Sequence, residues 1–423
     1  GVNSYIEQLP DSEKNPLRTR KWSEVDSVAI AIRLLQYFGR GGAGEVRNWA
    51  LYSYLKARPN IKDNVNDIFN SLLWQNEPRA TTTVADSDWG SKPIPKVFPP
   101  LTNEVLEKSY NALPKVNLLE LIPLLRAEQH QESTLVAETL AAPFKTGSYA
   151  IVVSENRSKT GFPILLSAPQ MGHTVPSIVH EMSIKTPEFE VAGMDIPGVP
   201  GIVIGHTNNL AWGLTTGVAD TEDFAYGKAE IKTIEVPYQA GPDAPVEKVT
   251  IERGYKGYPV VMKKPEFQMV RASSFWNREL LTMDSIYGLY TAKSHEDIDK
   301  ALTSATLNFN FFYALKEKGI GYRYTGKIPV RKEGADPRLP IPFEKLWTEE
   351  VPFSQMPHVR NPKSGLLANW NNKPISWWPN GDTPVWGVIF RDKVLRNLLT
   401  QSKIGDYEIE FAVSEIAKTN NTF

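Results

Sequence analysis

The hydrophobic pattern changes character about a third of the way along the chain. Residues 24–38 read as a helix, with Ser23 placed to cap its start and Gly39 to stop it. Glu45 to Leu55 is helical again, and helical character persists to about residue 75. Pro-rich, polar sequence from Pro78 to Pro100 predicts a surface excursion, followed by a helix over Glu104–Leu125. From Ser148 onward short apolar runs separated by turn residues replace the helical pattern: Tyr149–Val153, Pro163–Ser167, Gly201–Gly205 and Leu210–Leu214. Thr207-Asn208-Asn209 is a good hairpin turn between the last two, and Glu230–Met262, with Tyr255–Val261, suggests further antiparallel strands. Helix returns at Ser294–Ala305 and near Arg391. The sum is an α+β chain with antiparallel sheet in its middle and no internal repeat.

Composition narrows the function without naming it. The 423 residues suffice for two or three ordinary domains or one large one. With 41% hydrophobic and 22% charged residues, neither disorder nor a fibrous architecture is favoured. Forty-seven basic against 48 acidic residues leave a net charge of −1, so there is no electrostatic footprint for nucleic acid or an anionic membrane. A small or neutral substrate fits better. No cysteine is present, which removes thiol catalysis, disulfides and thiolate metal sites and is compatible with export. There is no apolar run of about 20 residues and no signal peptide.

Candidate chemistry begins at Gly147-Ser148, which opens the run Gly-Ser-Tyr-Ala-Ile-Val-Val-Ser. An ordinary strand cap is one reading. The other is a new N-terminus: if the Gly147–Ser148 bond is cut, Ser148 carries a nucleophilic hydroxyl and an α-amine of pKa roughly 8 on one residue. Gly39-Arg40-Gly41-Gly42-Ala43-Gly44 follows a helix instead of a strand, so helix termination explains it better than a phosphate loop. His206, beside a glycine and a turn, reads as structural. No His-Glu-x-x-His, Gly-x-Ser-x-Gly or EF-hand pattern is present.

Three further segments carry a resemblance: Ala168-Pro169-Gln170-Met171-Gly172, Gly205-His206-Thr207 through Thr215-Thr216-Gly217, and Leu367-Ala368-Asn369-Trp370-Asn371-Asn372-Lys373-Pro374. With Gly147-Ser148 they make the chain similar to the penicillin acylase family of N-terminal-nucleophile hydrolases, and within it to penicillin G acylases. The resemblance is strongest over 147–224 and 303–391. It implies a four-layer αββα sandwich of two facing antiparallel sheets, with an α-rich part over residues 1–130, a spacer over 131–147 removed or cut on maturation, and the catalytic core over 148–423. Both ends of the family's chain would be missing from this one.

The resemblance also implies roles. Ser148 becomes the nucleophile after self-cleavage, the N–H of Thr216 and the side chain of Asn371 form the oxyanion hole, Gln170 positions the substrate amide, and Arg391 orients the amine or a substrate carboxylate. Met171 and Leu214 fall on the substrate pocket. Tyr149 and Met171 depart from residues common in relatives, which points to a different pocket shape. A single structural calcium ion is implied, held by carboxylates of Glu45, Asp220, Asp223 and Asp382, with Asn380 competing for the last place, and by backbone oxygens of Glu222 and Pro337. No organic cofactor is implied. The expected activity is hydrolysis of a side-chain amide such as that of penicillin G by a periplasmic or secreted zymogen whose α and β pieces stay associated. An acyl-homoserine lactone acylase is the enzymatic alternative. An unprocessed protein binding ligands through the Trp-rich 370–386 segment is the non-catalytic one.

Overall fold

The computed structural model describes residues 1–14, 21–72, 81–90, 92–126, 147–170, 177–239, 245–382, 386 and 389–419. Two sheets form the centre. One has three strands, Gly147–Val153 between Leu366–Asn369 and Ile164–Gln170, both antiparallel to it. The other has seven, in the order His358–Arg360, Gly319–Tyr324, Phe309–Leu315, Leu210–Thr216, Val199–Thr207, Glu190–Ile196, His180–Lys185. The small sheet lies face to face on the strands Leu210–Thr216 and Phe309–Leu315 of the large one.

Period-2 alternation decides what each face meets. Ala150 and Val152 point inward and pack with Phe312, Ala314 and Tyr322 of the facing sheet. Ile151 and Val153 point outward, against Leu395 of the helix Ile389–Leu398, Leu399 just past its end, and Ile409 and Ala412 of the helix Asp406–Thr419. On the far side Trp212, Phe311 and Tyr313 pack with Met283, Ile286 and Ile298 of the helices Leu281–Gly288 and His295–Leu302. The layers are therefore helix, sheet, sheet, helix, the expected αββα architecture. The sheets approach so closely at Gly213 that a Cβ there would fall 2.2 Å from the Ser167 Cβ.

A four-stranded sheet, with Glu222–Gly227 beside Gln268–Ser273, stands next to this sandwich and packs against the α-rich part. That part contains the helices Glu24–Gly39, Glu45–Lys56, Val65–Leu72 and Asn103–Ala112. Ser23 does cap the first, its N–H donating to Asp26 Oδ2 at 2.8 Å, while the helix runs through Gly39 instead of stopping before it.

Two sequence expectations are corrected. The helix expected over Glu104–Leu125 ends at Ala112, because Pro114 has no N–H to continue the ladder and disfavours helix in the residue before it. The stretch expected as a surface excursion after Pro78 is anchored in the core: Thr83, Val84 and Trp89 are buried, and the N–H groups of Thr83 and Val84 each donate at 2.9 Å, to the carbonyls of Lys373 and Pro374. The spacer expected over 131–147 lies outside the described residues except for Gly147.

Candidate active site

Ser148 opens its strand with its side chain toward the facing sheet, on the parity of Ala150 and Val152, and is 6% exposed. Opposite it comes the turn after the strand Leu366–Asn369. There Asn371 adopts φ 60°, a left-handed conformation that asparagine tolerates better than most residues. The result is a reciprocal pair: Asn371 Nδ2 donates to Ser148 Oγ at 3.0 Å while Asn371 Oδ1 accepts from Ser148 N at 3.1 Å. The same Nδ2 also reaches the Thr216 carbonyl at 3.4 Å. This orientation of the amide gives the Ser148 N–H its acceptor and lets Nδ2 donate to Ser148 Oγ.

Gln170 closes the group from the neighbouring strand, in register with Gly147. Its Oε1 accepts from Trp370 Nε1 at 2.8 Å. The Arg391 guanidinium carbon lies 5.7 Å from the centre of the Trp370 ring, and burial lowers its pKa. Tyr149 packs on the same aromatic in a tilted arrangement, ring centroids 4.7 Å apart. The departure at Tyr149 therefore changes packing around Trp370 and not the pocket lining. Ser148, Thr216, Asn371 and Gln170 thus converge, Arg391 supports them through Trp370, and Met171 lies outside the described residues.

An apolar cavity of about 100 Å³ begins at Ser148, Gln170 and Thr216. Its walls include Leu34, Leu35 and Phe38 of the α-rich part and Leu214 and Phe309 of the large sheet. The contribution of the helix Glu24–Gly39 was not foreseen, although its apolar face was visible. His206 is exposed on the hairpin beyond this cavity.

The acidic residues assemble elsewhere. Glu45, Asp220, Glu222, Asp223 and Asp382 are all buried. Glu222 is committed to Arg271 (2.5 Å) and to the Ser273 hydroxyl (2.6 Å); burial alone would raise its pKa, and Arg271 holds it below the usual carboxylate range. Only its backbone oxygen remains for a metal. Arg331, itself buried, bridges Asp220 (2.5 Å) and Asp223 (3.0 Å), and Trp347 Nε1 donates to Asp223 Oδ2 at 2.7 Å. Asp382 accepts from the Gly44 N–H, and Asn380 is occupied by Trp386 Nε1 at 2.8 Å, which favours Asp382 as the fourth carboxylate.

Glu45 accepts from the Phe224 N–H at 3.0 Å through one oxygen, while its other oxygen, Oε2, is buried without a hydrogen bond. Burial, then the charges of Asp382, Asp223 and Asp220, push the Glu45 pKa well up; burial raises Asp382 to about 6. Arg331, with Arg47 acting on Asp382, is set against four carboxylates whose burial and mutual repulsion keep their pKa values up. A cavity of about 40 Å³ lined by Asp220, Arg331, Pro337 and Gly381 opens on the cluster. Among the described residues no three acidic or histidine side chains already form a metal cage, yet the all-oxygen donor set with an orphaned buried carboxylate oxygen fits a hard cation such as Ca²⁺.

The tryptophans of the segment 370–386 serve mainly as core. Trp370, Trp378 and Trp386 are buried, and Trp378 packs edge-on against Phe98 and Tyr324.

Comparison with known proteins places the chain in a family. A family model described as penicillin amidase matches residues 1–418. Penicillin G acylase of Escherichia coli is 24% identical over 448 aligned positions, covering 95% of this chain and 52% of that protein. Acyl-homoserine lactone acylase QuiP of Pseudomonas putida is 22% identical over 382, covering 85% and 45%. Among solved structures, a thermostable penicillin G acylase from Alcaligenes faecalis superposes with a TM-score of 0.58 at 22% identity, over 63% of this chain and 52% of that one. The chain spans about half the length of the curated relatives it matches. No helix among the described residues is long and apolar enough to cross a membrane.

Proposed function

Since the chain belongs to the penicillin amidase family, we propose that it carries the nucleophile-bearing part of an amidohydrolase activated by cleavage of its own Gly147–Ser148 bond. The observation that carries this reading is the two-point contact of Asn371 with Ser148 N and Oγ at the mouth of an apolar cavity. In maturation Ser148 Oγ attacks the Gly147 carbonyl carbon, the peptide C–N bond breaks, and the nitrogen takes the hydroxyl proton. Water then hydrolyses the ester, leaving the Gly147 carboxylate and a free Ser148 amine. Residues 1–130 and 148–423 remain associated through the core contacts of the α-rich part, and the spacer over 131–147 is trimmed.

In turnover Ser148 Oγ attacks the substrate amide while its own α-amine, through a water, takes the hydroxyl proton and passes it to the departing amine. Asn371 Nδ2 and the Thr216 N–H stabilise the oxyanion, a contribution of roughly 3–4 kcal/mol for such a donor. Gln170 orients the amide and Arg391 an amine-side carboxylate. Water releases the acid.

The acyl group lies in the cavity walled by Leu34, Leu35, Phe38 and Leu214. Its size is of the order of the ~150 Å³ apolar cavity known to take up benzene, which favours a phenylacetyl group, as in penicillin G, over a long aliphatic chain. Side-by-side hydrolysis of phenylacetyl and octanoyl chromogenic amides tests this. A higher kcat/KM for phenylacetyl supports the reading, and the reverse order moves it to the acyl-homoserine lactone type. A structural Ca²⁺ held by Glu45, Asp220, Asp223 and Asp382 with backbone oxygens of Glu222 and Pro337 belongs to the same proposal. It would supply the missing positive charge and take no part in the reaction. A periplasmic or secreted location rests on the family resemblance.

A further inference from the structure

The hydrogen bonds behind Asn371 run in one direction across the sandwich. Tyr322 OH donates to Asn310 Oδ1 at 2.6 Å. Asn310 Nδ2 donates to Thr215 Oγ1 and to the Thr216 carbonyl, both at 3.0 Å. The Thr215 hydroxyl, having accepted there, donates to Asn369 Oδ1 at 2.7 Å. That same oxygen accepts the Asn371 N–H at 2.9 Å. Asn369 Nδ2 donates to Thr83 Oγ1 at 2.7 Å and to the Asn372 carbonyl at 3.3 Å. An amide side chain offers two protons and two lone pairs, so Asn369, which is fully buried, is saturated. Turning any member over would strand a buried polar group.

Thr83 belongs to the α-rich part, on the other side of the Gly147–Ser148 bond, and its neighbours splint the same loop. Besides the two backbone bonds to Lys373 and Pro374, Asn372 Nδ2 donates to the Thr81 carbonyl at 3.3 Å and Arg396 Nη2 to the Thr82 carbonyl at 3.0 Å. We propose that Asn369, oriented by Thr215 from the facing sheet and by Thr83 from the α-rich part, is a positioning residue that holds the Asn371 turn and the Thr216 peptide in one geometry against Ser148. It acts through Asn371 and Thr215 and not on the substrate. This inference rests on the reading given under Proposed function.

The test uses mature enzyme from the complete gene, with Asn369→Asp, which keeps the shape but loses both protons, and Thr83→Val, which loses one acceptor. Asn369→Asp is expected to lower kcat for the phenylacetyl amide about 100-fold with KM changed less than about threefold. Benzylboronic acid, which captures a tetrahedral adduct on the serine, weakens in parallel, while phenylacetate binding is unchanged. In an Asn371→Ala background the same substitution costs less than about threefold, since its effect passes through Asn371. Thr83→Val, about fivefold in kcat, carries the same test if Asn369→Asp fails to mature. Equal losses in both backgrounds, or a lowered Tm with unchanged kcat, overturn the inference. Active wild type without the coupling removes this inference alone; wild type that matures yet hydrolyses neither amide removes the parent reading and this one with it.

Discussion

Around Ser148 the hydrogen-bonded network is built of neutral amides and hydroxyls, whereas around Asp220 the buried groups are ionisable and carboxylates outnumber the guanidinium that bridges them. The first set is made of amides and hydroxyls, in which Asn369 uses all four of its hydrogen-bonding positions. The second brings Glu45, Asp220, Asp223 and Asp382 together with Arg331 and leaves Glu45 Oε2 without a bond. Neutral dipoles fixed before reaction need no reorganisation when an oxyanion develops, which is what an oxyanion hole requires. Buried like charges raise one another's pKa and favour binding of a cation, which is what a clamp between two pieces of chain requires. On the proposed reading the same burial serves rigidity in one place and ligand affinity in the other.

The largest effect expected from breaking the neutral side is that of Asn371→Ala. It should lower kcat about 100- to 1,000-fold while Tm stays within a few degrees, as removal of one preorganised donor does elsewhere. Steady-state kinetics and a thermal melt on the same mature preparation check it. A loss confined to KM would mean that Asn371 binds substrate without stabilising charge.

Next comes the charged side, where the sign of one substitution decides. Glu45→Gln should destabilise the protein in Ca²⁺ and leave it unchanged or stabilised in a chelator, since it removes a ligand in one case and a repulsive charge in the other. For an ion present at 100 times its Kd the linkage is about 2.7 kcal/mol, a Tm difference of a few degrees for a protein of this size. Stabilisation by Glu45→Gln in both solutions would mean that no cation occupies the cluster.

The fold was largely legible in the sequence because its strands announce themselves by alternation. Ala150 and Val152 against Ile151 and Val153 separate the two faces of the central strand, and short runs at 201–205 and 210–214 foretold the hairpin. What escaped was set by tertiary contact. Thr83 and Val84 lie in a polar, proline-rich stretch whose only sequence signal is looseness, yet two backbone hydrogen bonds to the loop after Asn371 bury them. Of the site, Ser148, Thr216, Asn371 and Gln170 were legible through motifs. Asn310 was not, although a lone asparagine inside Phe309-Asn310-Phe311-Phe312-Tyr313 is the kind of polar intrusion that marks an internal network. Arg331 has no local signal, because only the folded chain brings it to Asp220 and Asp223.

Gly213→Ala sharpens the comparison from the packing side. The added methyl meets the Ser167 Cβ at 2.2 Å, so the sheets must part or shift. A loss of about 1–3 kcal/mol is expected from chemical denaturation, together with a fall in kcat, because Thr215 and Asn369 bond across the same gap. Lost stability with full kcat would separate the network from sheet spacing.

The smallest effect concerns Lys373, a buried cation next to the neutral network, whose pKa burial lowers to about 8. Below pH 8 the ammonium is charged in both folded and unfolded chains, and the folded one bears the full desolvation cost. Between pH 8 and about 10.4 the folded chain has released a proton that the unfolded chain still holds, so the cost fades. Lys373→Met should therefore raise Tm at pH 7 and raise it less at pH 9.5. An equal gain at both values would point to packing instead of charge.

The central claim, that Ser148 is freed by the chain's own chemistry, is tested most directly by intact mass and N-terminal sequencing of the protein expressed from the complete gene, beside its Ser148→Ala variant. The account predicts a new N-terminus at Ser148 in the wild type and, in the variant, an intact peptide bond after Gly147. A wild-type chain that stays uncut, or a variant cut at the same bond, would contradict it.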